Sequence, residues 1–343
     1  MPVSIDIDSP EHHLFAAGAN NAKTAFEAPA KGAITVGLIN NMPDSALIST
    51  ERQIFDLLSA AAENIPVRLR LYTLPTVPRT DWGRHYTRRF YSDAGDLCHE
   101  SLDGLIVTGT EPQAPKLQEE PYWESFGEIV DWASEHTVSA IWSCLAVHGA
   151  VLYLDGIDRH QLDDKCIGVF AHSRVSDHPL LQDAPSLLRI PHSRWNEVRE
   201  DALAPRGYSV LTKSATAGVD MFVKQQGKSL FVYFQGHPEY EAHSLLGEYR
   251  RDVGRFLRQE IGYYPTMPVG YFDDPVAELL SAFQKQALLD RRPALLADFP
   301  VDHAAKSLNR IWHPVATRIY RNWILYLSAG RSRGEKPRRD RIN

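Results

Sequence analysis

Three side chains in this sequence can together move a proton and form a transient covalent bond. They are Cys144 in IWSCLAVHG and the pair His237 and Glu239 in GHPEYE. A thiol is mostly protonated at neutral pH and attacks well only beside a base or with a lowered pKa. His237 can take that proton and return it, and Glu239 can orient the imidazole and stabilise its charged form. Cys144 ends the apolar run AIWS, and a helical pattern starts at Leu145. Such a strand-to-helix elbow sets the positive end of a helix beside the sulfur. It also offers the backbone N–H of Leu145 to a developing oxyanion. Singly, a cysteine at a strand end is most often inert core and His-Pro-Glu is a turn. Their joint appearance at successive strand ends carries the reading of Cys144 as a nucleophile. Cys98 and Cys166 precede no elbow and read as structural or incidental.

The elements that must position these groups are legible from periodicity. AITVGLINN (33–41) reads as a buried strand, and STERQIFDLLSAAAE (49–63) as a helix with Ser49 as N-cap. VRLRLYTL (67–74) is a strand, and WGRHYTRRFY (82–91) a polar, aromatic loop. SLDGLIVTGTEP (101–112) is a strand closed by a Gly109 turn. A helix over 122–136, a strand over 138–143 and the elbow helix from Leu145 to about Leu154 follow. Later strands fall at 187–191, 208–212, 220–226 and 229–236, before a charged helix over 240–261. This alternation predicts an α/β fold in three layers, a mainly parallel sheet with helices on both faces. Residues 1–32 read as a loose arm, 33–275 as the α/β domain, 276–329 as a helical C-terminal extension and 330–343 as a basic tail. Reactive groups of such sheets gather at the carboxyl ends of the strands, where Gly109, Cys144 and His237 all fall.

Composition narrows the class. The 343 residues are 43% hydrophobic and 23% charged, which is ordinary for a globular protein. A net charge of −6 gives no general affinity for nucleic acid. No uninterrupted apolar stretch is long enough to span a bilayer, and no secretory signal opens the chain. Three cysteines without a CxxC suit a reducing cytoplasm. Fourteen histidines include His12-His13 but no HExxH, so no metal site is expected. No phosphate-binding GxxxxGK[ST] loop is present either.

Several segments, in order, resemble the homoserine O-acyltransferases, or homoserine transsuccinylases, which share the class I glutamine amidotransferase fold, a flavodoxin-like arrangement. They are NMP at 41–43, TERQIF at 50–55, DGLIVTG at 103–109, WSCLAV at 142–147 and DDKCIGVF at 163–170. PHSR at 191–194, GHPEYEAHSLLGEYRRD at 236–252 and NWILYL at 322–327 complete the set. The resemblance spans roughly Ala33 to Leu327. It implies ping-pong transfer of a succinyl or acetyl group from acyl-CoA to the hydroxyl of homoserine or a related amino acid such as serine. Catalytic roles then fall on Cys144, His237 and Glu239, and substrate contacts on Lys165, Ser193 and Arg251. It further implies acyl-CoA as cosubstrate, no bound cofactor and a homodimer, with the aromatic C-terminal helices involved.

The chain departs from the family pattern in places. Asp44-Ser45-Ala46 stands where members commonly carry lysine after NMP, and the segment from Pro43 to Thr50 is longer than usual. In the family, the loop after TG helps choose the acyl group, glycine accompanying succinyl and glutamate accompanying acetyl. An ungapped count from Cys144 puts Gln113 there, with Glu111 nearby. CoA is expected in a surface cleft near the NMP turn, with Arg84, Arg88 and Arg89 as diphosphate contacts. Two rivals share the fold. A glutamine amidotransferase subunit would usually carry glycine where this elbow has Trp142 and Ala146. A non-catalytic binding protein would have no reason to retain all three triad residues.

Overall fold

A computed structural model describes residues 3–6, 11–16 and 32–334. In chain order the strands are β1 (Val3–Ile5), β2 (Ile34–Ile39), β3 (Val67–Thr73), β4 (Ser92–Asp93), β5 (Gly104–Val107), β6 (Ser139–Ser143) and β7 (His160–Arg174). Then come β8 (Leu187–Glu197), β9 (Ser209–Val210), β10 (Thr212–Ser214), β11 (Gly218–Val219), β12 (Met221–Gln226) and β13 (Ser229–Phe234). The main helices are α1 (Asp44–Ala62), α2 (Asp81–Phe90), α3 (Trp123–His136), α4 (Leu145–Asp155), α5 (Ser244–Leu257), α6 (Asp274–Leu289), α7 (Val301–Lys306) and α8 (His313–Gly334).

The central sheet runs β1-β3-β2-β5-β6-β13-β12-β9, with β4 beside β3. From β1 to β13 the pairing is parallel, and β12 and β9 continue it antiparallel. Side chains alternate between the two faces, as the strand period requires. Leu38, Ile106 and Ile141 meet Ile54 and Leu58 of α1 and Trp323 and Leu327 of α8. Leu105, Val107 and Trp142 meet Phe126 and Val130 of α3 and Val147 and Val151 of α4. Helices therefore cover both faces, which is why the central strands read as unbroken apolar runs. A second sheet, β11-β10-β7-β8, is antiparallel throughout.

Several expectations are corrected. The stretch over 82–91 is helical, not loop: α2 is capped by Thr80, whose side chain accepts from Gly83 N–H. Helix α1 begins at Asp44 rather than Ser49, and Ser49 Oγ instead donates back to the Ala46 carbonyl at 2.9 Å. Strand β7 went unread because its first half, HQLDDK, is polar and largely exposed, with no apolar alternation. The expected extension divides: α6 and α7 pack on α5, whereas α8 belongs to the cover of the central sheet. Trp323 Nε1 even donates to Ser139 Oγ of β6 at 2.9 Å. Helix α8 also runs into the expected tail, of which residues 335–343 lie outside the described residues.

The N-terminal arm is partly tied down; its residues 17–31 lie outside the described residues. β1 pairs with β3, and His12 is fully buried. The anchor is Glu51, itself fully buried on α1. It accepts from His13 Nε2 at 2.6 Å, from Tyr86 at 3.0 Å and from Tyr91, with His12 Nε2 at 3.0 Å. Burial alone would raise the Glu51 pKa, but the bonds from His12, His13 and Tyr91 hold it below the ordinary value. Glu51→Ala strands these donors and should cost about 3–5 kcal/mol. Denaturant unfolding of the variant measures this, and a loss under 1 kcal/mol would remove Glu51 as the anchor.

Candidate active site

Parallel pairing sets the site. Ser143 of β6 lies opposite Phe234 of β13, so the residues that follow emerge side by side at the carboxyl edge. Cys144 donates its N–H to the Phe234 carbonyl at 2.9 Å. Its backbone sits at φ 55°, ψ −117°, a strained conformation for a residue with a side chain. That turn lifts the thiol off the sheet and starts α4 at Leu145, whose N–H has no acceptor within its helix.

The loop after β13 is held from beneath. Gly236 donates its N–H to Asp220 Oδ1 at 2.9 Å, and His237 donates its N–H to the Pro191 carbonyl at 2.8 Å. A Cβ at 236 would lie 2.8 Å from Asp220 Oδ1 and 2.9 Å from His192 Nε2, so only glycine fits. His237 Nδ1 meets Glu239 Oε1 at 2.8 Å, and both side chains are buried. Burial pushes the His237 pKa down, but attraction and hydrogen bonding to Cys144 and Glu239 outweigh it and hold it well above the usual imidazole range. The arrangement favours an imidazolium facing the Cys144 sulfur. Arg310 and Trp312, beyond α7, secure the loop from outside. Arg310 donates to the carbonyls of Glu239 and Tyr240 at 3.0 and 2.8 Å, and Trp312 Nε1 to that of Tyr240 at 2.8 Å.

The Tyr240 ring stacks on His237, centroids 4.1 Å apart and planes 16° from parallel. Its hydroxyl donates to Glu248 Oε1 at 2.6 Å, and Ser193 Oγ donates to the other oxygen of Glu248. Lys165 Nζ lies 2.8 Å from Asp252 Oδ2 and 3.6 Å from Glu248 Oε2. Arg251 Nε donates to Asp252 Oδ1 at 3.0 Å. Burial alone would lower the Arg251 pKa, but the charges of Asp252, Glu248 and Glu111 raise it. Burial would raise that of Asp252, yet Lys165 and Arg251 lower it. Two cations thus alternate with two carboxylates beside the imidazole, a pattern that matches the carboxylate and ammonium of a free amino acid.

The structure brings Cys144, His237 and Glu239 together, and places Lys165, Ser193 and Arg251 in one adjoining cluster. Glu111 is exposed and close enough for its charge to act on Arg251. Gln113 is exposed too; its N–H donates to Glu120 Oε1 at 2.6 Å. Gly109 closes on the elbow, where an added Cβ would lie 2.7 Å from Leu145 N. Cys98 lies exposed in the 3-10 turn over 94–99, and burial pushes the Cys166 thiol up, against its acting as a nucleophile.

Sequence reasoning missed Glu248, Asp252 and Tyr240. The available signal was helical spacing, since Glu248, Arg251 and Asp252 stand at i, i+3 and i+4 on α5. It also missed the buried group His172, His192 and Asp220. Here each proton has a place. Arg194 Nε donates to His192 Nδ1 at 3.3 Å, so His192 carries its proton on Nε2, which faces His172 Nε2 at 3.2 Å. His172 must then be protonated on Nδ1, which meets the Phe170 carbonyl at 3.1 Å. Burial, followed by the charges of His172, Arg194 and His237, keeps the His192 pKa well below the ordinary range. The group braces the strand that carries Pro191 and Ser193.

Among the described residues, no helix is long and apolar enough to cross a membrane. Among solved structures, a glutamine amidotransferase from Thermotoga maritima aligns with a TM-score of 0.48 and 14% identity, over 86% of this chain and 98% of that one. The homoserine O-succinyltransferase of Rhodopseudomonas palustris is 47% identical over 310 residues, covering 90% of this chain and 93% of that protein. That of Methylorubrum extorquens is 45% identical over 306 residues, covering 89% and 90%. The homoserine O-succinyltransferase family model matches residues 2–332. With that match over nearly the whole length, the chain belongs to the homoserine O-succinyltransferase family.

Proposed function

We propose that this protein moves a succinyl group from succinyl-CoA to the hydroxyl of L-homoserine through a thioester on Cys144. The observation that carries the reading is Cys144 on a strained elbow, close enough for its charge to act on His237, which is itself hydrogen-bonded to Glu239, beside charges that fit a zwitterion. The Cys144 thiolate attacks the thioester carbonyl. The resulting oxyanion settles toward the Leu145 N–H. Collapse expels CoA, whose sulfur takes the proton held by His237. The acceptor hydroxyl then gives its proton to the neutral imidazole and attacks the enzyme thioester. Loss of the Cys144 sulfur restores the resting pair. Succinyl is preferred over acetyl because the relatives carry that donor in their names.

Arg251 and Lys165 hold the acceptor carboxylate in this reading, and Glu248 and Asp252 receive its ammonium. Arg251→Ala should raise KM for homoserine about tenfold or more, the worth of one charge-assisted contact, and leave acylation of Cys144 unchanged. Collapse of the acylation step would refute that role. The direct test of the whole reading is intact mass after mixing with succinyl-CoA or acetyl-CoA and no acceptor. A succinyl adduct supports it and an acetyl adduct changes the donor. Absence of both, with glutamine-dependent ammonia release, would favour an amidotransferase instead.

A further inference from the structure

The carboxyl edge of the central sheet holds a second cavity, well away from Cys144. It has a volume of about 470 Å³, and its walls include the segment after β3 and Arg79, Arg84 and Arg88. The three arginines differ in what they are free to do. Arg79 is nearly fully buried, and its guanidinium donates to the carbonyls of Asn40 and Met42 at 2.9 and 3.0 Å and to Asp44 Oδ1 at 3.3 Å. It fixes the turn after β2 to the wall of the cavity. Arg84 is half exposed and, among the described residues, held only by exposed Asp81 and the Arg79 carbonyl. Arg88, one helical turn further along α2, makes no hydrogen bond or ion pair among the described residues. Arg89, expected to join them, does not line the cavity and pairs with Glu11.

Of the acids nearby, Asp81 pairs with Arg84 from the solvent side and leaves Arg88 unpaired among the described residues. Asp44 is taken up by Arg79 and Thr80, whereas Asp93, which also lines the cavity, accepts from Gly95 N–H at 2.8 Å and keeps its charge. Two cations one turn apart over a roomy cavity fit a diphosphate.

The sheet order supplies the ruler. From β6, which ends at Cys144, the neighbours are β5, β2 and β3. Three interstrand steps span about 14 Å. An extended pantetheine arm has about thirteen bonds between sulfur and phosphorus, and at about 1.2 Å advance per bond it reaches about 15 Å. The turns along this path are contiguous. Asn41 donates its N–H to Thr108 Oγ1 at 2.8 Å, and Asn41, Thr108, Gly109 and Leu145 share the wall of a small pocket at the elbow.

We infer that the cavity under Arg84 and Arg88 receives the diphosphate of the acyl-CoA donor while its pantetheine arm lies across the turns after β3, β2 and β5. The inference rests on the acyl-CoA reading above and adds where the nucleotide end sits. It also accounts for the departure at Asp44: the residue after NMP braces Arg79 and leaves donor binding to α2.

The experiment pairs two donors. Succinyl-CoA carries the diphosphate, and the succinyl thioester of N-acetylcysteamine does not. In the double variant Arg84→Gln/Arg88→Gln, KM for succinyl-CoA should rise about a hundredfold, roughly tenfold per lost charged contact, while kcat/KM for the short thioester stays put. Arg89→Gln is the control and should alter neither. Equal loss with both donors, or an unchanged KM for succinyl-CoA, overturns the assignment. Calorimetric titration with desulfo-CoA gives a readout free of turnover: the double variant should bind about a hundredfold more weakly. Unchanged affinity would also overturn the assignment. A wild-type protein that transfers succinyl from neither donor would instead refute the acyltransfer reading.

Discussion

Cys144→Ala should fold normally, take up no acyl group and lose turnover by at least about 10⁴-fold. In the proposed reaction the thiol is the group that forms the covalent bond, and no neighbouring side chain would replace it. The other two cysteines are poor substitutes: one stands exposed in the 3-10 turn over 94–99, and the other has its thiol pushed up by burial. Folding should survive because alanine fills most of the same space and the backbone bond from residue 144 to Phe234 is kept. A covalent succinyl adduct on the variant would place the nucleophile elsewhere. The wild-type protein offers a companion readout. His237 is held above its ordinary pKa of 6.5 by Cys144 and Glu239, against the pull of burial. The His237 imidazolium therefore persists through pH 6.5, and the single-turnover acylation rate should show no inflection there. An inflection at that pH would mean a neutral resting imidazole.

Gly109→Ala carries the second large effect, at a residue that touches no proton. Its added methyl would lie 2.7 Å from Leu145 N and 2.9 Å from Leu145 Cβ. Neither is the far end of a flexible chain. Leu145 N belongs to the turn that strains Cys144, so the elbow must shift or the methyl must occupy the space in front of the N–H. Either way the oxyanion loses its donor geometry, worth about 10²–10³-fold in kcat. The variant should bind homoserine as before, because the charged cluster on α5 is untouched. Pre-steady-state acylation with succinyl-CoA measures the effect, and a loss below threefold would show that the oxyanion rests elsewhere.

How far the sequence led depended on the kind of signal each feature leaves. Central strands such as ITVGLI and AIWS were legible because burial on both faces makes an unbroken apolar run. The elbow was legible because a lone thiol sits where strand pattern turns to helix pattern. Strand β7 was not, since its leading half faces solvent. Nor was α2, whose Trp, Tyr, Thr and Phe suggested loop until Tyr86 found Glu51. Glu248 and Asp252 were hidden for another reason. Acids on an amphipathic helix look like a solvated face, and only the arrival of Lys165 and Ser193 from the second sheet makes them a site. Arg88 and Arg89 are neighbours in sequence but face different surroundings, which no spacing rule could sort without knowing that their segment is helical.

Arg310 and Trp312 hold the carbonyls of Glu239 and Tyr240 from a point some seventy residues downstream. Synthesis is directional, and a domain folds as a unit once its chain has emerged. Cys144 therefore leaves the ribosome long before the residues that seat the His237 loop. Until Trp312 emerges and α8 closes over the sheet, the loop with His237 lacks its outer fastening. A chain terminated before Arg310 would carry Cys144 without this fastening of the His237 loop, so the proposed chemistry waits on synthesis of that segment.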